Sequence, residues 1–324
     1  MRSVVCAELG PPEKLVVEER EAPAAGPGSV VVEVRACGLN FVDALMIQGL
    51  YQIRPEPPFV PGTEIAGVIE SLGEGVDGFS VGDAVMGMSG FGGWSERTAA
   101  PAGNLYRLPE KLGFERAAGF IQSYCTGLFA LRNRAELETG ETVLVLGAAG
   151  GVGLAAIDLA KSMGARVIAA ASSEAKRKAC LEQGADAVID YENEDLKTRA
   201  KELSGGGVDV VYDPVGGDYA EPALRSLAPG GRHLVIGFAA GEIPRVPLNL
   251  VLLKQCQVVG VNWGGWSSHH PDGNRELLST LIQLFEAGKI NPLPPRSWPF
   301  LEAAPALREL MDRRIVGKGV LVPG

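Results

Sequence analysis

The sequence predicts an α/β protein, a doubly wound parallel sheet accompanied by a separate, mostly β domain. Three observations lead there. From about residue 142 onward, Val/Ile/Leu-rich strand patterns alternate with helical patterns, as in parallel sheets covered on both faces. Within that region VLVLGAAGGVG, Val143–Gly153, passes from a strand through a glycine turn into a helix. The first hundred or so residues have another texture, with short apolar segments cut by Pro/Gly-rich turns.

Composition sets the outer limits. A chain of 324 residues is long enough for two domains with separate cores. Its 46% hydrophobic and 21% charged residues are those of an ordinary globular protein. A net charge of -9 without any basic cluster argues against a nucleic-acid partner. No long apolar run follows Arg2, and the uncharged run Thr142 to Ile157 is too short for a bilayer. A cytoplasmic protein with no membrane segment is expected. The five cysteines (Cys6, Cys37, Cys125, Cys180 and Cys256) form no CxxC pair. Buried free thiols are expected, in place of a disulfide framework or a structural zinc site.

In chain order, SVVVEVRA, EIAGVIESLG and DAVMGM read as strands, separated by turns such as APAAGPGS and RPEPPFVPG. Near Ala117 the texture changes, and ERAAGFIQSYCTGLFALRNRA reads as helix. Strands then follow at ETVLVLG, ARVIAAA, AVID, VDVVYD, GRHLVIG and QVVGVN. Helices between them are expected at Gly151–Met163, Glu174–Gln183, Asp195–Leu203 and Asp218–Leu227. Strands in this number make two mononucleotide-binding halves. Beyond Asn262 come a Trp/Gly/Ser/His loop, helices at NRELLSTLIQLFEAG and FLEAAPALRELMDRR, and a last strand in GKGVLVP. The expected division is 1–120, 121–262, and 263–324 returning to the first domain.

The glycine turn carries the strongest local signal. A pyrophosphate needs free backbone N–H groups at a helix N-terminus and no side chain in its way. Gly150 and Gly153 stand where the second and third glycines of G-x-G-x-x-G belong, and Ala148 replaces the first. Gly151 and Val152 complete the turn. The next strand selects the nucleotide, since an acidic residue at its end would bind both ribose hydroxyls of NAD. Here it ends in Ala170, Ala171, Ser172 and Ser173, followed by Lys176 and Arg177. Hydroxyls and cations suit a 2′-phosphate, so NADPH is the expected cofactor. The competing reading of Lys176 and Arg177 is a solvated helix face. Glu174 falls in the first turn of the helix, where an acid is normal.

Four segments, PGTEIAGVIESLGEGVDGFSVGDAV, GETVLVLGAAGGVGLAAIDLAKSMGARVIA, GVDVVYDPVGG and GKGVLVP, occur in that order and spacing. Together they resemble the zinc-independent quinone oxidoreductase (ζ-crystallin-like) branch of the medium-chain dehydrogenase/reductase superfamily, over essentially the whole chain. The resemblance implies a Rossmann domain inserted in a GroES-like β-rich catalytic domain, with substrate bound between them. It also implies a homodimer in which Rossmann sheets meet edge to edge around KQCQVVGV. Tyr191 matches a position that contacts the 2′-phosphate, and Val215 and Phe238 join the expected cofactor residues. The family usually has Gln in the helix after the glycine turn, where this chain has Asp158.

Zinc-dependent relatives carry a Cys ligand in the loop matching ACGLNFVD and a His ligand in the segment matching GTE. Aligned on Asp43 and Glu64, those positions hold Asn40 and Thr63 here, and Cys37 lies three residues too early. Neutral Asn and Thr are poor zinc ligands, so no metal is expected.

Without a metal, alcohol oxidation is disfavoured. Hydride transfer from NADPH to a quinone or an α,β-unsaturated carbonyl needs less help. None of the six tyrosines has Lys four residues on, which excludes the short-chain reductase pair. The resemblance places Asn40, Tyr51 and Thr126 around the nicotinamide and acceptor: Thr126 orients the ring, while Asn40 and Tyr51 hydrogen-bond the acceptor oxygen. Each competes with a reading as a satisfied polar residue in a structural loop. A polyketide-type enoyl reductase, or an NADPH-binding structural or regulatory protein without turnover, remain as alternative functions.

Overall fold

The computed structural model describes residues 1–324. The chain divides into two compact units, Met1–Ile121 with Leu293–Gly324, and Gln122–Pro292.

The first unit opens with an antiparallel ribbon, β1 (Arg2–Cys6) on β2 (Leu15–Glu19). Then come β3 (Ser29–Leu39), α1 (Phe41–Ile47), β4 (Glu64–Leu72), β5 (Ala84–Met88), β6 (Arg97–Pro101), β7 (Leu105–Arg107) and the short α2 (Phe114–Ala117). β3 is the spine, pairing antiparallel with both β4 and β6. Val30, Val32 and Val34 enter the core, and so do Cys37 and Leu39. The change from even to odd positions follows from a register shift between Val34 and Ala36. One extra residue at such a bulge turns every later side chain to the opposite face. It delivers Asn40 to the start of α1 at the sheet's end.

The second unit is built from α3 (Ile121–Leu128), which begins at the boundary residue, then β8 (Thr142–Val145), α4 (Gly151–Ser162), β9 (Arg166–Ala170), α5 (Glu174–Glu182) and β10 (Ala187–Ile189). α6 (Leu196–Ser204), β11 (Val208–Asp213), α7 (Ala220–Ser226), β12 (Leu227–Val235), α8 (Leu248–Lys254) and β13 (Gln257–Gly260) follow. The sheet order is β10-β9-β8-β11-β12-β13, and every pairing is parallel. β8 lies where the strand order reverses, the crevice at which such sheets bind ligands. Val143, Leu144 and Val145 have no exposed surface, as a strand covered on both faces requires.

Three expectations are corrected. The segment ERAAGFIQSYCTGLFALRNRA is not one helix: α2 stops at Ala117, α3 starts at Ile121, and Phe129–Arg134 is π-helical. The Trp/Gly/Ser/His stretch is not a loop but helix α9 (Trp263–His269). Its composition disfavours helix, yet Asn262 caps it by accepting the Gly265 amide at 2.9 Å, and Trp263 is buried with its indole N–H on Asn274 Oδ1 at 2.9 Å. Lastly, residues 263–292 group with the second unit. Helix α10 (Pro271–Glu286) buries Leu277, Leu278 and Leu281, and the Asn291 amide donates to Asp158 at 2.7 Å.

The return to the first unit thus begins at Leu293. It supplies β14 (Arg296–Pro299), α11 (Ala303–Met311) and β15 (Gly319–Val322). β15 pairs antiparallel with the Cys37–Leu39 end of β3, completing the order β14-β15-β3-β4-β5-β7. No helix of the chain is long and apolar enough to cross a membrane.

Candidate functional site

The glycine turn caps β8. Gly147 has φ +53°, and a Cβ there would lie 2.8 Å from Val215 Cγ2. Both facts call for glycine, so Gly147 is a turn residue that the Ala148-first alignment passed over. Ala148 is buried, and its amide donates to Ala170 O at 3.1 Å. A Cβ on Gly153 would meet the Ala148 backbone at 2.6–2.7 Å, so Gly153 is a close-packing glycine between helix and turn. Gly150 is different. It caps α4 in extended conformation, and a Cβ there would meet only Gly147 O, at 3.4 Å. The first intrahelical bond runs from Leu154 N to Gly150 O, which leaves the amides of Gly151, Val152 and Gly153 outside the helical ladder. A Gly150 with a single close neighbour, beside unladdered amides, fits a dinucleotide pyrophosphate.

The nucleotide end is more constrained than the sequence suggests. Lys176 Nζ donates to Ser172 Oγ at 3.2 Å, which brings two expected phosphate residues together. Ser173 caps α5, its Oγ accepting the Lys176 amide. Arg177 is committed elsewhere, pairing with Asp190 at 2.9 Å and reaching Ala171 O. Tyr191 rests against Tyr219 with ring centroids 4.6 Å apart.

The loop after β11 closes the same end of the sheet. Asp213 Oδ1 accepts the amides of Val215 and Gly216, each at 2.8 Å. Its other oxygen faces His233 Nε2 at 3.0 Å. A second strand of backbone bonds, Ala239 N to Pro214 O and Ala240 N to Val215 O, ties the loop to the segment holding Phe238. Asp213 and His233 were not among the expected site residues, although VYDPVGG was visible as a motif.

In the first unit Asn40 stands at the N-cap of α1, almost fully buried. Lys318, one residue ahead of β15, donates from Nζ to Asn40 Oδ1 at 2.5 Å and to Glu64 Oε2 at 3.1 Å. Asn40 Nδ2 reaches the same Glu64 oxygen at 3.3 Å. Asp43 Oδ2 accepts the Asn40 amide at 2.8 Å, and burial pushes this carboxyl up to about 7. Tyr51 is half-buried in the turn after α1, and burial raises its phenol. Thr126 is buried in α3, which belongs to the other unit.

The donors around Asn40 do not fit a zinc ion. An amide and a threonine stand at the aligned ligand positions, and an ammonium sits between Asn40 and Glu64. Cys37 has no exposed surface, and burial pushes its thiol well above the ordinary range, away from the thiolate that zinc requires. Asp158, in place of the family's Gln, is a buried acceptor: Tyr124 OH and the Asn291 amide each donate to its Oδ2 at 2.7 Å. It ties α3, α4 and the segment leaving the second unit together, apart from the glycine turn.

Comparison with known proteins identifies the family and the fold. Residues 26–110 match the alcohol dehydrogenase GroES-like domain, and residues 151–283 match the zinc-binding dehydrogenase family. A quinone oxidoreductase-like protein 2 homolog from Nematostella vectensis is 41% identical over 99% of this chain and 88% of its own length. The crystal structure of Escherichia coli quinone oxidoreductase complexed with NADPH superposes with a TM-score of 0.92 at 31% identity, covering 100% of both chains. That of the CurK enoyl reductase superposes at 0.90 with 28% identity, covering 100% of this chain and 99% of its own. By sequence and by fold, the chain is an oxidoreductase that belongs to the zinc-independent quinone oxidoreductase branch of the medium-chain dehydrogenase/reductase superfamily.

Proposed function

We propose that the protein transfers hydride from NADPH to a quinone or an α,β-unsaturated carbonyl, without a metal. The observation that carries this reading is the donor set around Asn40, an amide backed by an ammonium where zinc-dependent relatives place their ligands. Such a site stabilises negative charge arriving on an acceptor oxygen but offers no Lewis acid to ionise an alcohol. Bound NADPH supplies the hydride. The amides of Gly151, Val152 and Gly153 would hold its pyrophosphate, and Ser172, Lys176 and Tyr191 its 2′-phosphate. Val215 and Phe238 would line the loop nearer the nicotinamide, and Thr126 would orient the ring. Asn40 and Tyr51 would donate hydrogen bonds to the acceptor. The NADPH complex of the Escherichia coli relative supports the choice of cofactor.

An enoyl thioester is itself an α,β-unsaturated carbonyl, and the likeness to the CurK enoyl reductase favours it as a second acceptor class. The reading extends to a homodimer joined along β13. This edge strand leaves Val258 exposed, and Leu248, Leu252 and Leu253 of α8 are exposed as well.

The test is NADPH oxidation with a panel of quinones, enones and enoyl thioesters, alongside NADPH binding by fluorescence. Turnover with quinones or enones is expected. Tight NADPH binding with no turnover on any acceptor would instead mark a nucleotide-binding protein without catalysis.

A further inference from the structure

The first unit holds a buried ion pair, Lys318 Nζ to Glu64 Oε2 at 3.1 Å. Glu64 has no exposed surface, and the Lys318 side chain is 12% exposed. Two glycines make room for the pair. A Cβ on Gly119 would lie 2.5 Å from Lys318 Cγ. A Cβ on Gly38 would lie 2.8 Å from Glu64 Oε2 and 2.4 Å from Ala118 O. Burying an ammonium and a carboxylate costs several kcal/mol of desolvation per ion, and a hydrophobic pair of similar volume often serves stability as well.

What the pair does is fix one amide. Asn40 Oδ1 faces the ammonium, and Asn40 Nδ2 faces the carboxylate. The reversed amide would set NH2 against NH3⁺ and carbonyl against carboxylate, so only one orientation is allowed. Nδ2 has two N–H groups. One is used by Glu64, and on the function proposed above the second is the donor to the acceptor. The ammonium on the carbonyl side polarises the amide and strengthens that second donor.

Resting on the function proposed above, we propose that Lys318 is a positioning residue of the acceptor site: its ammonium orients and polarises Asn40, supplying through that amide the fixed positive charge that a metal supplies in zinc-dependent relatives. In the reaction the acceptor gains a hydride from NADPH, which leaves as NADP⁺. The electron pair displaced from the acceptor's π bond comes to rest on its oxygen, and that oxygen then takes a proton from water. Asn40 Nδ2–H meets the oxygen while it is negative.

The test compares three proteins in steady state with one quinone and one enone: wild type, Lys318→Met, and the double variant Lys318→Met/Glu64→Gln. Lys318→Met should lower kcat 10- to 100-fold while leaving the NADPH dissociation constant unchanged. It also removes the ammonium that faces the buried Glu64, so its melting temperature should fall. The double variant removes both charges, so it should recover the melting temperature and remain as slow as Lys318→Met. It also keeps the test alive if the single variant does not fold. Recovery of kcat in the double variant would show that Lys318 only neutralises Glu64, and would overturn the proposal. So would a Lys318→Met enzyme with wild-type kcat. A wild type inactive toward both acceptors would overturn the proposed function itself, before any variant is compared.

Discussion

Asp213 and His233 face each other at 3.0 Å across adjacent strands β11 and β12, both buried. The other Asp213 oxygen holds the amides of Val215 and Gly216, so this carboxylate sets the conformation of the loop against the glycine turn. Asp213→Ala strands two buried donors, at about 1–3 kcal/mol each. We expect a lower melting temperature and NADPH affinity weakened about tenfold, about 1.4 kcal/mol. Calorimetry and fluorescence titration measure the two effects. An unchanged affinity in a destabilised protein would detach the loop from cofactor binding.

The two turn glycines should fail in different ways. A Cβ at Gly150 meets only Gly147 O, at 3.4 Å, so Gly150→Val should fold with a near-normal melting temperature and lose NADPH binding. Valine at Gly153 meets the Ala148 backbone, so Gly153→Val should lose stability first. A folded Gly150→Val that binds NADPH normally would remove the pyrophosphate from this turn.

Cofactor preference should depend on Lys176, whose Nζ stands 3.2 Å from Ser172 Oγ, while Arg177 pairs with Asp190 at 2.9 Å. Lys176→Ala should weaken NADPH by about 1–2 kcal/mol, the scale of a charge-assisted hydrogen bond at a partly exposed site, and leave NADH nearly unaffected. Equal losses for both nucleotides would mean that Lys176 does not read the phosphate.

Asp43 gives a pH signature. Burial raises its folded-state pKa from the ordinary 3.8 to about 7. Between those values the native protein binds a proton that the unfolded chain does not. Its contribution to stability is therefore complete below about pH 4 and is lost as pH rises through about 7. Asp43→Asn lacks this dependence. Its stability relative to wild type should improve with rising pH across that window, by up to about 1.4 kcal/mol per pH unit. Parallel denaturant curves at several pH values measure it, and a pH-independent difference would mean that Asp43 titrates normally.

Local signals told most of the fold. The parallel sheet was legible because strands buried on both faces read as unbroken Val/Ile/Leu runs, and the glycine turn lies between one of them and a helix. What escaped were effects of distant contacts. Helix α9 has a poor helical composition and exists because Trp263 is buried and Asn262 caps it. Residues 263–292 join the second unit through α10's buried leucines and the bond to Asp158, which no periodicity announces. At the site, Asn40 was visible from motif alignment. Lys318 was not, because its partners Glu64 and Asn40 lie 254 and 278 residues away in the chain. Gly147 was missed because the fingerprint was aligned on Ala148, and only the backbone shows which residue takes the positive φ.

Reduction of a quinone or enone by NADPH should need no metal. Its most direct measurement is kcat/KM for a simple quinone before and after exhaustive dialysis against a chelator, with metal content determined on the same sample. We expect the same kcat/KM in both states, with zinc substoichiometric throughout. Turnover lost on chelation and restored by added zinc would contradict the account.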